Sequence, residues 1–317
     1  MKRWLFPGAI ALLVLVYPVL VDGLPVYQRL GALVLLAAIG ASAWNIVGGY
    51  AGQVSVGHAV FFGFGAYASV VVYTHLEWPP IAGAPLGMAL SVLLAAVIGV
   101  PTLRLSGHYF SMATIAVGEL VRVLSSTSEF LGGAQGLGGP AMPRTVFDLS
   151  FISAMPFYYI FLAVLVFLLG LTWWIEHGRM GFYLRAIKDS ERAARSLGVS
   201  SGRYKLYAYM LSGAFTSLAG SLYLCMFGFV DPESGFGILI SVKMVVMAAL
   251  GGAGHLFGPL VGALILVPLE ELSNSLLGGQ GAGLTFVVYG AIIVIIARFL
   301  PSGLLSLLER RKVTRAD

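Results

Sequence analysis

Charge is what this sequence has least of. Only 10% of its 317 residues are Asp, Glu, Lys or Arg, against 58% hydrophobic, and the mean hydropathy is +0.91. A water-soluble domain carries about 25% charged residues, so this chain cannot cover an aqueous surface, and lipid is the solvent left to it. The single cysteine, Cys225, excludes an intramolecular disulfide framework and reads as a small buried hydrophobe in an apolar run. His58 and His255 stand singly, without clustered ligands, so no metal site is expected and each reads as a cap or packing contact. Missing too are a Ser-His-Asp grouping, an HExxH motif and the phosphate-cradling GxxxxGK[ST]. Without a nucleotide-binding motif the chain cannot draw on ATP by itself. The formal charge of +5 does not point to nucleic acid, because the bases do not sit on a folded aqueous domain.

What is present is a series of uncharged runs: 4–21, 30–76, 78–103, 149–175, 206–230, 244–269 and 272–297. A helix needs roughly 20 residues to cross a hydrocarbon layer about 30 Å thick. The runs predict an all-α polytopic membrane domain over 1–317 with about ten crossings (range about eight to ten): 5–21, 29–47, 55–75, 85–103, 108–124, 157–175, 206–227, 237–250, 257–272 and 284–300. The basic, apolar start lacks a small-residue cleavage site and another span soon follows, so a retained first helix is expected. The interval 125–156 is expected to form an exterior loop, since 132–140 (GGAQGLGGP) holds too many helix breakers for a span. Even parity puts both termini on one side together with Lys2, Arg3, Arg104, the bases of 176–205 and the tail 301–317. The positive-inside rule makes that side the cytoplasm. Asp22, Glu77, Glu129, Asp148, Asp231 and Glu233 fall on the other.

Glycine is abundant, at 41 residues, which in lipid favours close helix packing. Segment 48–67 (GGYAGQVSVGHAVFFGFGAY) and segment 250–264 (LGGAGHLFGPLVGAL) share a Gly-His step and a run of small residues, a faint sign of internal duplication. Two readings stand side by side. One is tight packing with polar capping; the other is broken or re-entrant helix whose freed backbone lines a pathway, tolerated only away from lipid. On the second reading Gln53, Ser55, Gly57, His58, Gly251, Gly252 and Gly254 are candidates for helix breaks or pathway. Lys243 joins them, because a lysine within a span is costly and ordinarily faces the bundle interior. Its closeness to the predicted outer boundary leaves snorkelling as the alternative. Glu119 and Arg122, three apart on one helix face, read as a salt bridge or a pathway pair, and Glu270 and Glu271 as a boundary marker.

Between two of the apolar runs lies a charged island, 176–205, with seven Lys/Arg and three Asp/Glu. Leu184, Ile187, Ala194 and Leu197 recur among its charges, as in short amphipathic helices lying along the bilayer. Asp189 or Ser190 is placed to cap a second helix, 191–197, with Gly198 to stop it. A solvated basic loop near anionic headgroups would not need Ala193, Ala194, Leu197 and Gly198 in so compact an order.

Segment 178–223 (GRMGFYLRAIKDSERAARSLGVSSGRYKLYAYMLSGAFTSLAGSLY) resembles the signature region of the branched-chain amino acid ABC permeases, and within that group the LivM-type subunits. Segments 48–69, 251–263 and 134–140 (AQGLGGP) resemble the family's other motifs, in order and at the family's spacing. The resemblance implies a non-enzymatic permease subunit of an importer for Leu, Ile and Val in a bacterial or archaeal inner or plasma membrane. It implies a LivH-type permease partner, two cytoplasmic ATP-binding subunits that hold the ATP and Mg, and a periplasmic or surface-tethered solute-binding protein. No cofactor is implied in this chain. By the same resemblance the short helix around Asp189, Ser190, Glu191, Ala193, Ala194, Leu197 and Gly198 is the coupling helix that docks into an ATPase; Ser190 stands where the family often has Asn. Permeases for urea, short amides or other amino acids use much the same scaffold and stay open as alternatives. A secondary transporter or channel, needing no ATPase, ranks below them.

Overall fold

The computed structural model describes residues 14–105, 107–139, 149, 151, 153–276 and, toward the C-terminus, positions 287, 290, 291, 294, 298 and 303–305. The predicted crossings 5–21 and 284–300, most of the tail 301–317, and Lys2, Arg3 and Asp148 lie mostly or wholly outside the described residues.

The described chain is helical, as expected. After a helical stretch at 14–20 come α1 (Pro25–Asn45), a π-helical turn (Ile46–Tyr50), α2 (Ala59–Leu76), α3 (Gly83–Thr102) and α4 (His108–Thr127). Then follow α5 (Ala154–His177), α6 (Arg179–Asp189), α7 (Glu191–Ser196), α8 (Ser201–Phe227), α9 (Pro232–Phe236), α10 (Ile238–Gly251) and α11 (Gly258–Leu276). Among the described residues, six units are long and apolar enough to cross a membrane by length and composition: Pro25–Tyr50, Ala59–Leu76, Pro80–Thr102, Ala154–His177, Ser201–Phe227 and Pro232–Gly251. The predicted crossings 108–124 and 257–272 correspond to α4 and α11, helices of 20 and 19 residues that stand outside those six. Each carries two charged residues, Glu119 with Arg122 and Glu270 with Glu271, which lowers its mean hydropathy.

Burial sorts the spans by their neighbours. The α1 span is 78% buried, whereas those of α3 and α5 are 28% buried, so α1 is the central helix and the other two keep an exposed apolar face. On α3, Gly87, Ser91, Ala95 and Gly99 repeat every fourth residue and are buried. The opposite side exposes Leu86, Leu90, Leu93 and Val97. The small stripe lets α3 approach α2 and α8 closely, the route to stable association where lipid supplies no hydrophobic drive. The α2–α8 contact beside it is closer still: a Cβ on Gly65 would stand 1.8 Å from the Ser217 carbonyl oxygen of α8, and one on Gly220 of α8 would stand 1.8 Å from the Phe62 carbonyl oxygen of α2. Ser221 Oγ of α8 donates to the Gly65 carbonyl at 3.0 Å.

The end of the bundle opposite the charged island is tied together by the predicted exterior loop. Leu137–Gly138 (β1) pairs antiparallel with Phe229–Val230 (β2), so residues 132–138 are turns and strand rather than span. Arg122 reaches Glu119 at 2.5 Å and Glu233 at 3.4 Å, a salt bridge joining α4 to α9 at the same end. Asp231 caps α9 through a reciprocal capping box with Ser234.

Candidate functional site

The charged island folds as two short helices packed under the bundle. Gly178, in extended conformation, ends α5 and starts α6. Gly181, Leu184 and Ile187 recur at three-residue intervals on α6 and are its buried residues, the period of a half-buried helix. Ser190 breaks the chain at φ −157°, and its Oγ accepts from the Ala193 N–H at 3.4 Å, capping α7. The cap is therefore Ser190 and not Asp189. Gly198, at φ +85°, ends the turn in the left-handed region.

One carboxylate fixes α7 to the base of α8. Glu191 accepts from Lys205 Nζ at 2.6 Å and from Arg195 at 2.6 Å. The Lys205 side chain is only 2% exposed, so Glu191 is its counter-charge in a place water barely reaches. Burial alone would raise the Glu191 carboxyl; the bond and charge of Lys205, helped by Ser201 and Arg195, outweigh it and hold the group below its ordinary value. Among the proposed coupling residues, Asp189, Ser190, Ala193, Leu197 and Gly198 are exposed and Glu191 is half-buried. Ala194 is 3% exposed and faces its own chain, while Leu197 is 85% exposed. Leu197 thus does not belong to the buried face with Leu184, Ile187 and Ala194; α7 ends before it, and it stands at the tip of the loop.

The island also grips the glycine segments. Lys188 Nζ donates to the Gly49 carbonyl at 2.8 Å, and Tyr50 Oη donates to Glu176 at 3.2 Å. Directly against Gly49 lies Gly254: Asn45 Oδ1 accepts from the Gly254 N–H at 2.8 Å and Asn45 Nδ2 donates to the His255 carbonyl at 3.1 Å. A Cβ on Gly49 would come within 2.5 Å of the Gly254 nitrogen. The two segments that look alike in sequence therefore meet face to face, with the end of α6 beside them. Asn45 and Lys188 carry this junction and were not nominated from the sequence. Asn45 is the one amide in the predicted crossing 29–47, which is the signal that was there to read.

Residues 51–58 are not regular helix, so the predicted crossing 55–75 begins only at Ala59. The freed backbone is satisfied from neighbouring helices, as it must be at membrane depth. Trp44 Nε1 donates to the Ser55 carbonyl at 2.7 Å, Thr114 Oγ1 accepts from the Val56 N–H at 3.1 Å, and Ser241 Oγ accepts from the Ala59 N–H at 2.7 Å. His58 Nε2 and Ser212 Oγ are 2.8 Å apart, and Ser212 Oγ donates to the Ala43 carbonyl at 2.6 Å. Ser55, Gly57 and His58 are buried in this seam, and Gln53 is half-buried.

Above the seam, away from the island, a cavity of about 640 Å³ opens between α1, α8, α9, α10 and α11. Its apolar wall includes Leu36, Phe62, Met244 and Met247, and its charged residues are Arg29, Asp231, Glu233, Lys243, Glu270 and Glu271. Lys243 Nζ lies 2.5 Å from Glu270 Oε1, with the two side chains 31% and 23% exposed. Of the pathway candidates only Lys243 lines this cavity; Gln53, Ser55, Gly57, His58, Gly251, Gly252 and Gly254 belong to the seam and the glycine junction below it. Glu270 and Glu271 were read as a boundary marker; both line the cavity, Glu270 partly buried and paired with Lys243 and Glu271 exposed.

Residues 28–297 match the family described as the permease component of the branched-chain amino acid transport system. The chain belongs to that family. Among its relatives, the high-affinity branched-chain amino acid transport system permease protein LivM of Escherichia coli (strain K12) is 28% identical over 96% of this chain and 75% of that protein. BraD of Pseudomonas aeruginosa, another permease protein of such a system, is 26% identical over 93% of this chain and 97% of its own. LivH of Salmonella typhimurium is 24% identical over 90% and 94%. No solved structure matches the chain. The matched stretch takes in the island, both glycine segments and the cavity, so the permease-family chain contains all three parts of the site within its family region.

Proposed function

We propose that this chain is a permease subunit of an ABC importer that moves branched-chain amino acids across the inner or plasma membrane. It pairs with a LivH-type subunit, is driven by two ATP-binding subunits and is fed by a solute-binding protein. The observation that carries this reading is the island: a two-helix platform clamped to α8 through Glu191–Lys205 and to the glycine junction through Lys188. A loop built to transmit force needs such stiffness, whereas a solvated basic loop does not. In this reading the island and both termini are cytoplasmic, the chain makes about ten crossings, and α7 with Leu197 docks on an ATPase. ATP-driven closure of the ATPases would tilt the platform, and the Gly49–Gly254 contact would convert that tilt into rearrangement of α1 and α10. The acidic rim of the opposite face would receive substrate from the binding protein.

The test is expression of the chain with the genes adjoining it, purification of the complex and reconstitution in liposomes. The expected result is ATP-dependent uptake of leucine, isoleucine and valine that requires the binding protein. Uptake of leucine without co-purifying ATPases would instead assign a secondary transporter, and uptake of urea or an amide in place of leucine would reassign the substrate.

A further inference from the structure

We propose that the cavity between α1, α8, α10 and α11 is a binding site for the zwitterion of an apolar α-amino acid, held by opening the Lys243–Glu270 pair. The proposal rests on the importer reading and adds to it a site within the membrane. Four observations converge on it. The first is size and shape: about 640 Å³ falls within the roughly 300–1,000 Å³ of small-molecule sites. The second is its place. The mouth carries Arg29 near the start of α1, Phe227 at the end of α8 and Asn274 near the end of α11, the ends remote from the island.

The third is where it stops. On α1 and α2 its lining ends at Gly40 and Phe62, one helical turn outward of the seam members Ala43 and His58, while on α10 it runs past Ser241 to Met247. The seam therefore lies between the cavity and the island on the α1 and α2 sides.

The fourth is chemistry. A zwitterion carries two full charges whose desolvation is costly unless both find partners. Lys243 and Glu270 supply one of each sign, 2.5 Å apart and beside an apolar wall. On binding, the ammonium of Lys243 turns from Glu270 to the ligand carboxylate, and the ligand ammonium takes its place on Glu270, with Glu271 adjacent. The charge balance of the site is unchanged by this exchange, and the ligand side chain lies against Leu36, Phe62 and Met247. Urea or a simple amide, having no charges to exchange, would leave the pair closed.

The test uses the complete complex with its binding protein in liposomes, reading assembly, binding-protein-stimulated ATPase activity and amino-acid uptake. Wild-type complex without ATP-driven uptake would strike the importer reading itself, separately from the site. The decisive variant is the charge swap Lys243→Glu with Glu270→Lys, which keeps an ion pair but reverses its direction. Expected are normal assembly and ATPase stimulation, with leucine uptake reduced about ten- to a hundredfold, the range for losing a charge-assisted hydrogen bond. Wild-type uptake by the swap overturns the proposal, because the pair is then a structural tie. Should the swap fail to assemble, Ala37→Phe decides, since it places bulk on the cavity wall without touching the pair. Its expected effect is a several-fold shift in the valine-to-leucine uptake ratio toward valine. An unchanged ratio, or loss of assembly with the partner permease, overturns the proposal by showing that substrate does not enter or that another subunit fills the space.

Discussion

Replacing Glu191 with Gln removes one charge and leaves another stranded. Lys205 is 2% exposed, and its ammonium would then face an amide that cannot neutralise it. Breaking a buried pair by deleting one partner costs about 3–5 kcal/mol. Glu191 itself is 29% exposed, so some water reaches the gap, and the low end of that range, about 3 kcal/mol, is the reasoned value. Because the pair joins α7 to the second turn of α8, the cost falls on docking of the loop and leaves the span itself intact. It corresponds to an increase of about 150-fold in the open population of the loop. Amide hydrogen exchange reads this directly: protection at Ala194, Leu197 and Gly198, whose N–H groups bond within the loop, should fall about 150-fold. Exchange in the middle of α8 should not change. The double variant Glu191→Gln with Lys205→Met removes the stranded charge and should recover most of the protection. Wild-type exchange in Glu191→Gln, or no recovery in the double variant, would refute the reasoning. The same carboxylate sets a pH dependence. Its folded value lies below the ordinary 4.5, so its stabilisation is fully present above that value and is lost as pH falls through the lower, folded one. Loop protection should therefore be flat down to about pH 5 and decline only in stronger acid.

Leu197→Asp should abolish co-purification of the ATPase subunits while leaving the thermal midpoint of the isolated chain within about 1 °C, since an exposed surface change costs under about 0.5 kcal/mol. Ala194→Glu, by contrast, should unfold the loop because that site is internal. Lys188→Met removes the bond to Gly49 and should lower uptake several-fold while ATPase activity persists, measured side by side in liposomes. Gly65→Ala forces α2 away from the Ser217 carbonyl and should destabilise the bundle by about 3 kcal/mol in thermal unfolding. Gly170→Ala, with open space around it, should instead gain up to about 1 kcal/mol of helix propensity.

The placement of spans and loop was legible because it depends on local composition. A run such as 206–227 is apolar whatever it packs against, and α8 forms there. The Ser190 cap and the Gly198 stop were readable for the same reason, since each acts on backbone within four residues. The broken segment 51–58 was legible only in part. Gln53, Ser55 and His58 marked it as polar, but the partner of the His58 ring, Ser212, lies 154 residues on, so the packing of this segment was hidden. Lys243 offered two readings from sequence alone; in the fold it lines the cavity, 2.5 Å from Glu270, 27 residues on, a pairing that local composition does not show. Leu197 went the other way: apolar in a pattern with Leu184, Ile187 and Ala194, it lies beyond the end of α7 and faces solvent.

By itself, then, the sequence determined that the chain is a series of membrane-length apolar runs, that its family is that of the branched-chain amino acid permeases, and that 176–205 is a charged island between two such runs. Hydropathy, charge and motif spacing are properties of neighbours in the chain and survive without coordinates. Only the tertiary structure decided that Gly49 meets Gly254 through an asparagine 209 residues away, that Lys188 holds that junction, and that charges scattered from Arg29 to Glu271 converge on one cavity. Those facts depend on which helix faces meet, and in a bundle of nearly uniform apolar helices the faces are told apart by where small residues let backbones close.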